Sequence, residues 1–401
     1  MPRPPTQWLS TEEAARRLGV KTGTLYSYVS RGLVHSFAAP DGRASRFDRA
    51  DIEALLTRRR SQPGGSAEAV VASGITKLGE DGVRYRGHLI EELAATRTFE
   101  EVAALLWNAA EEARPWPAEE LPRLALPDDT VLADRIRIGI AVAATVDHHR
   151  HDLRPESVVV SARHLIASVV ASLPLTSAPD RLLVLAGRRI SGSLAASLTG
   201  RLGAPRVDAA LVRAVNTALV LLADHELATS TYAARVAAST RADVYSAVLA
   251  GAASGGPLHS GASREVVQLL NDAWQRGPRT AVADLLRSGR RIPGFGHKIY
   301  RRDPRFRCLF ETASASGFPA PRLDLVREVL ALASERVPVE PNVDFAGGAL
   351  TFGAGMRDDA AEAIFLVARM AGWVAHVIEE YDEAPLRFRT RGLYVGDPAS
   401  A

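Results

Sequence analysis

Three histidines break into a chain that otherwise runs largely on Ala, Leu, Val and Arg. His259 sits in GGPLHSGA, residues 255–262, and His297 in PGFGHK, residues 293–298. Each lies on a Gly/Pro-rich interruption between stretches that read as helix. His225 ends the apolar run LVLLADHEL, flanked by Asp224 and Glu226. One carboxylate, Asp344, stands beside glycines in NVDFAGGAL. Arginines gather at loops and helix ends: Arg305 in DPRF, Arg369 in ARMAGW, and Arg387, Arg389 and Arg391 in PLRFRTRGLYVG. Imidazoles exchange protons near neutrality and guanidinium forks grip carboxylates. Such a set suits acid–base chemistry on an anionic substrate.

Taken singly, each residue is ordinary. A lone histidine is usually a hydrogen-bonded structural residue, an aspartate after Asn-Val a cap, and C-terminal arginines a solvated face. The spacing does exclude other chemistry. H-x33-H and H-x37-H, with no second ligand nearby, are not metal-site spacings, so no metal is expected. No GxxxxGK[ST] loop occurs, so nucleotide hydrolysis is not indicated.

The elements that must position these groups are helical. EEVAALLWNAAEEA, ADRIRIGIAVAATV, DAALVRAVNTALVLLADHEL, REVVQLLNDAWQ, RLDLVREVLALASERV and DAAEAIFLVARMAGWVAHVIEEY repeat apolar residues every three or four positions, and strand-like alternation is scarce. With 401 residues, 47% apolar and 24% charged, the chain can bury a large core in more than one domain. No charge-free run of 18 apolar residues predicts a membrane span, and the first residues lack a signal-peptide core. A single cysteine, Cys308, allows no internal disulfide. A cytoplasmic setting is the expectation.

SQPGGSAEA, 61–69, reads as a linker between a module over 1–60 and a region over 70–401. Residues 1–62 carry 11 Lys and Arg against 6 Asp and Glu, whereas the other 339 carry 38 against 40. Surplus positive charge in a small module favours phosphate-rich partners. In WLSTEEAARRLGVKTGTLYSYVSRGLV, Ser10 or Thr11 caps a first helix that Gly19 ends, and a second runs from Thr22 or Thr24 to Gly32. Two extended pieces flank Pro40-Asp41-Gly42 as a hairpin wing, and RADIEALLTRRR closes the module as a helix. This order resembles the MerR/excisionase type of winged helix-turn-helix. The resemblance implies DNA contacts from Lys21, Thr22, Thr24, Tyr26, Ser27 and Arg31, with Arg43 and Arg46 on the wing gripping the backbone. A docking module that binds protein and not DNA is the blander alternative.

The larger region carries G-P-L-H-x-G-A, P-G-F-G-H followed by D-P-R, N-V-D-F, A-R-x-x-G-W-x-A-H and a terminal R-x-R-x-L-Y-V-G, in that order. With the opening SGITKLGEDGVRYRGHLIEELAATRTFEEVAALLW, it resembles the citrate synthase family over about residues 70–397. The implied fold is mainly α, a large and a small helical domain (the small one about 262–352) closing over a cleft. The implied reaction joins acetyl-CoA or propionyl-CoA to oxaloacetate, giving citrate or 2-methylcitrate. The resemblance makes Asp344 the base, His259 the hydrogen-bond donor to the enolate and His297 the acid at the ketone. His225, Arg305, Arg369 and Arg389 become oxaloacetate ligands, Arg389 reaching across a homodimer interface. No metal or bound cofactor is implied, and CoA is a substrate.

Departures cluster near this set. Ser260 and Ser263 replace the family's usual Gly and Asn, Gly347 stands where a small polar residue is usual, and the run from His297 to Arg305 is one residue short. A DNA-binding regulator that uses the enzyme-like domain as a metabolite sensor is therefore the alternative expectation.

Overall fold

The computed structural model describes residues 8–18, 20, 22–30, 34–38, 45–49, 51–52, 71–79, 82–111, 115–178, 184–185, 188–189, 192–256 and 261–389. His259, Ser260, Lys21, Arg31, Arg43, Arg391, the 61–69 linker and the Pro40-Asp41-Gly42 turn lie outside them, as do residues 53–60 of the expected closing helix. The chain divides into two compact units, Met1–Val71 and Ala72–Ala401.

In the first unit, helices Thr11–Leu18 and Thr22–Ser30 accompany a three-stranded antiparallel sheet. Strand Ser45–Asp48 is central, pairing Phe47 with Leu9 on one side and Arg46 with Phe37 on the other. Ser10 Oγ accepts from Glu13 N–H at 3.3 Å while Glu13 Oε2 accepts from Ser10 N–H at 2.8 Å. That reciprocal cap fixes the start of the first helix. Ala14, Leu18, Leu25, Val34, Phe47 and Ile52 form the core. The strand Trp8–Ser10 was not legible in sequence, since three residues before a cap show no alternation.

The second unit is a helical assembly, with a small antiparallel sheet of Thr76–Gly79, Gly82–Tyr85 and His88–Leu89. The six helices read from periodicity appear as Phe99–Leu106, Leu132–Val146, Ala209–Leu222, Ala262–Arg276, Ala320–Ser334 and Ala360–Tyr381. Helices Pro155–Ser172, Pro278–Arg287 and Pro304–Ser314 each begin on a proline, which pre-sets the first helical φ and costs no intrahelical bond. Ala360–Tyr381 is long and apolar enough to cross a membrane, yet 89% of its most apolar window is buried inside the protein. It is the axis of the main core, and helices Ala209–Leu222, Thr229–Ser239, Val244–Ala253, Leu132–Val146 and Pro155–Ser172 pack on it.

A second core has its own residues. Val266, Leu270, Val282, Val326, Val329, Phe345 and Phe352 bring together helices Ala262–Arg276, Pro278–Arg287, Ala320–Ser334 and Val343–Gly353. Phe306 and Phe310 touch both cores. Val343 belongs to the main core and Phe345 to the second, which leaves Asp344 on the seam between them.

Candidate active site

Asp344 lies in the first turn of helix Val343–Gly353, capped by Asn342, whose Oδ1 accepts from Asp344 N–H at 3.0 Å. The same asparagine donates from Nδ2 to Gly296 O at 2.7 Å, while Asn342 N–H reaches Gly294 O at 2.9 Å and Gly296 N–H reaches Glu340 O at 2.8 Å. The glycine-rich break before His297 is thus stitched to the start of the Asp344 helix. Gly294 has φ +77°, and a Cβ there would sit 2.7 Å from Phe345 Cβ, so only glycine allows this approach. Burial pushes the Asp344 carboxyl up to about 6, against the pull of the nearby Arg305 charge.

The short run from His297 to Arg305 does bring its two ends together. Asp303 caps helix Pro304–Ser314 and holds Arg305 as a fork, Nε to Oδ1 at 2.9 Å and Nη2 to Oδ2 at 2.9 Å. Asp303 Oδ2 also accepts from Val343 N–H at 3.0 Å, tying this fork to the Asp344 helix. Burial would raise the Asp303 carboxyl, but the Arg305 charge and these hydrogen bonds hold it below the usual value. The Nη1 end of Arg305 is not used by Asp303.

His297 Nδ1 accepts backbone N–H groups from Ile299 at 3.1 Å and Tyr300 at 3.3 Å. Burial, with Arg305 beside it, lowers the pKa of this imidazole, so the ring is neutral near pH 7. A neutral ring whose Nδ1 accepts must carry its proton on Nε2. Arg305 Nη2 lies 3.4 Å from that Nε2. Two nitrogens able to donate therefore stand side by side.

On the main-core side, the His225 and His297 rings approach edge to face with centroids 5.5 Å apart, and His225 Nε2 lies 2.9 Å from the Tyr300 hydroxyl. Glu226 turns the chain at φ 55°, its N–H held by Asp224 Oδ2 at 3.1 Å. Arg369, almost wholly buried, donates from Nε to Leu222 O at 2.9 Å, and its buried Nη1 has no hydrogen-bond partner among the described residues. Arg305, Asp224 and Tyr300 all act on it electrostatically. The structure therefore gathers His225, His297, Arg305, Asp344 and Arg369. Arg389 is exposed, bonded through its backbone N–H to Leu386 O at 3.3 Å. Among the departures, Gly347 packs beside Ser263, and a Cβ there would meet only Ala361 Cβ at 3.7 Å and Ser263 Cβ at 3.9 Å.

Behind this wall runs a buried polar chain to which sequence reasoning gave no role. Asp224 Oδ2 accepts from Thr76 Oγ1 at 2.5 Å and faces His376 Nε2 at 3.4 Å. His376 Nδ1 accepts from Arg235 Nη1 at 3.0 Å, and Arg235 donates on to Glu379 at 2.9 Å and Glu380 at 2.8 Å. Glu380 also takes Arg387 at 2.7 and 2.6 Å. His376 stands in the A-R-x-x-G-W-x-A-H motif and Asp224 beside His225, so both were visible as residues out of place. Gly372 lets helix Ala360–Tyr381 press against Ala223 and Asp224, since a Cβ there would overlap Asp224 Oδ1 and Ala223 O. Among the described residues, no group of three or more His, Cys, Asp or Glu is placed to hold a metal ion.

Comparison with known proteins gives the family. Residues 65–391 match the family described as citrate synthase, C-terminal domain, and residues 8–60 match a helix-turn-helix domain. "Citrate synthase 2" of Bacillus subtilis is 29% identical over 82% of this chain and 95% of its own length. "2-methylcitrate synthase 2" of Corynebacterium glutamicum is 27% identical over 75% of this chain and 86% of its own. The crystal structure of citrate synthase from Thermotoga maritima superposes with a TM-score of 0.65 at 27% identity, covering 85% of this chain and 97% of that one. The match over residues 65–391, the ordered motifs and the helical architecture thus lead to one conclusion: downstream of its helix-turn-helix module, the chain belongs to the citrate synthase family.

Proposed function

We propose that the protein condenses an acyl-CoA with oxaloacetate and hydrolyses the resulting thioester to citrate or 2-methylcitrate. The observation that carries this is the buried Arg369, whose Nη1 has no hydrogen-bond partner among the described residues and which lies within electrostatic reach of Arg305, itself beside His297. Oxaloacetate brings two carboxylates and a ketone oxygen, and those are the acceptors such a pocket lacks.

In this reading, Asp344 removes a proton from the carbon next to the thioester. Its carboxyl, pushed up to about 6, is a stronger base than an exposed aspartate and is still ionised at neutral pH. His259, outside the described residues, donates to the enolate oxygen as it forms. The enolate carbon attacks the ketone while His297 Nε2–H gives its proton to the new alkoxide. Arg305, Arg369 and His225 hold the substrate's carboxylates, with Arg389 supplied by the partner in a homodimer. Water then cleaves the thioester within the closed cleft, releasing CoA. Thiol release is measured with acetyl-CoA and with propionyl-CoA, each with oxaloacetate. Sustained turnover with either is expected, and none from folded dimeric protein would refute the proposal.

The match of residues 8–60 to a helix-turn-helix domain supports a second role, DNA binding by the N-terminal module. Thr22, Thr24 and Tyr26 are exposed on one helix, whereas Leu25 between them is buried. Arg46 lies over the Trp8 ring at 4.3 Å, which holds its charge at the sheet surface. A metabolite sensor with a retired enzyme domain is disfavoured by the intact acid–base set. Binding to duplex DNA that weakens about tenfold or more between 50 and 200 mM salt is expected, and salt-insensitive or absent binding would favour protein docking.

A further inference from the structure

We propose that Tyr300 is a positioning residue for this condensation, holding the two imidazoles of the oxaloacetate pocket in their working orientations. The inference rests on the citrate-forming reading and adds a residue that neither the motifs nor the mechanism required.

Between His297 and Arg305 the chain runs Lys298, Ile299, Tyr300, Arg301, Arg302, Asp303, Pro304. Ile299 is 56% exposed, and Arg301 and Arg302 also face outward. Tyr300 turns in. Its ring stacks on His297 with centroids 4.6 Å apart and planes 29° from parallel. Its hydroxyl reaches His225 Nε2 at 2.9 Å, its own N–H meets His297 Nδ1 at 3.3 Å, and the Arg305 guanidinium lies 5.8 Å from its ring centre. One side chain therefore contacts His225 through a hydrogen bond and His297 through a stack. The hydroxyl remains protonated throughout neutral pH, because burial pushes it up to about 12.

The two contacts are of different kinds and are separable by substitution. Tyr300→Phe keeps the ring contacts with His297 and His225 and removes the hydrogen bond, which takes away one restraint on the His225 ring. Tyr300→Leu removes both. Oxaloacetate binding is measured by titration calorimetry and turnover by CoA release, with wild type and both variants. For Tyr300→Phe, the Kd and KM for oxaloacetate are expected to rise about fivefold to tenfold, with kcat and the acyl-CoA KM within about twofold. Tyr300→Leu adds a fall in kcat of about tenfold, since His297 loses the ring that orders it. A tyrosine that only filled space would lower stability in both variants without separating KM from kcat. Equal oxaloacetate affinity in Tyr300→Phe and wild type overturns the inference, as does a parallel loss of all parameters. If wild type turns over normally while Tyr300→Phe is silent, Tyr300 alone is misassigned. If wild type neither binds oxaloacetate nor releases CoA, the citrate-forming reading falls as well.

Discussion

The candidate site has two sides, built by opposite means. On one, Asp224, His225 and Arg369 belong to the main core and are backed by His376, Arg235 and Glu380, every one of them buried. On the other, His297, Asp303, Arg305 and Asp344 occupy a short loop and the starts of two helices, held by backbone N–H groups and a single asparagine cap. The guanidinium groups follow the same division. Arg305 arrives already neutralised by the Asp303 fork, whereas Arg369 carries a buried Nη1 with no hydrogen-bond partner among the described residues. On the proposed reading, the side that only binds negative charge can be rigid. The side that moves protons has to tune each group, and the seam between the two cores gives Asp344 the burial that does so.

This contrast is tested most severely at Asp344. Asp344→Asn should cut turnover by about 10³-fold in CoA release while circular dichroism remains unchanged. It should also stabilise the fold at high pH. The folded carboxyl is raised from 3.8 to about 6, so its stabilising contribution is complete below the lower value and is lost as pH rises through about 6. At pH 8 the variant should exceed wild type by on the order of 2 kcal/mol in urea melts, with the difference closing toward pH 4. An unchanged kcat would remove the base from the proton-moving side.

The arginines come next. Arg305→Met strands Asp303 as a buried unpaired charge and should cost about 3 kcal/mol of stability. Arg369→Met leaves no such stranded fork; its main effect should be an oxaloacetate Kd raised about 100-fold in calorimetry, with the smaller loss in the melt. Equal losses of stability would erase the distinction between the sides. The smallest effect is in the pH profile. The acid limb of kcat/KM should lie near the raised value of about 6, and a limb near that of an exposed aspartate would mean that the seam does not tune the base.

How much of this could be read from the chain varied with how local the cause was. His225, His297, Arg305, Asp344 and Arg369 stood out because polar groups at glycine-rich breaks or inside apolar helices are conspicuous, and the structure brings them together. Helices beginning on Pro155, Pro278 and Pro304 were hidden, because a proline that starts a helix looks the same in sequence as one that ends it. Helix Val343–Gly353 was hidden by Gly347 and Gly348, which suggest a loop. Asp303 and Asn342 are helix caps to which the sequence drew no attention, and their second bonds to Arg305 and Gly296 exist only in three dimensions. Tyr300 had no local signal beyond being an aromatic among loop cations.

The bare end of Arg369 has a practical side. A buried guanidinium with no partner at one nitrogen among the described residues favours small anions, and any species that binds only the native form raises its melting point with the logarithm of its concentration. Phosphate, malonate or tartrate in a purification buffer would thus act as a weak competitor and a thermal protectant together. Protein dialysed into a chloride buffer would be the less robust preparation and the more faithful baseline for every titration.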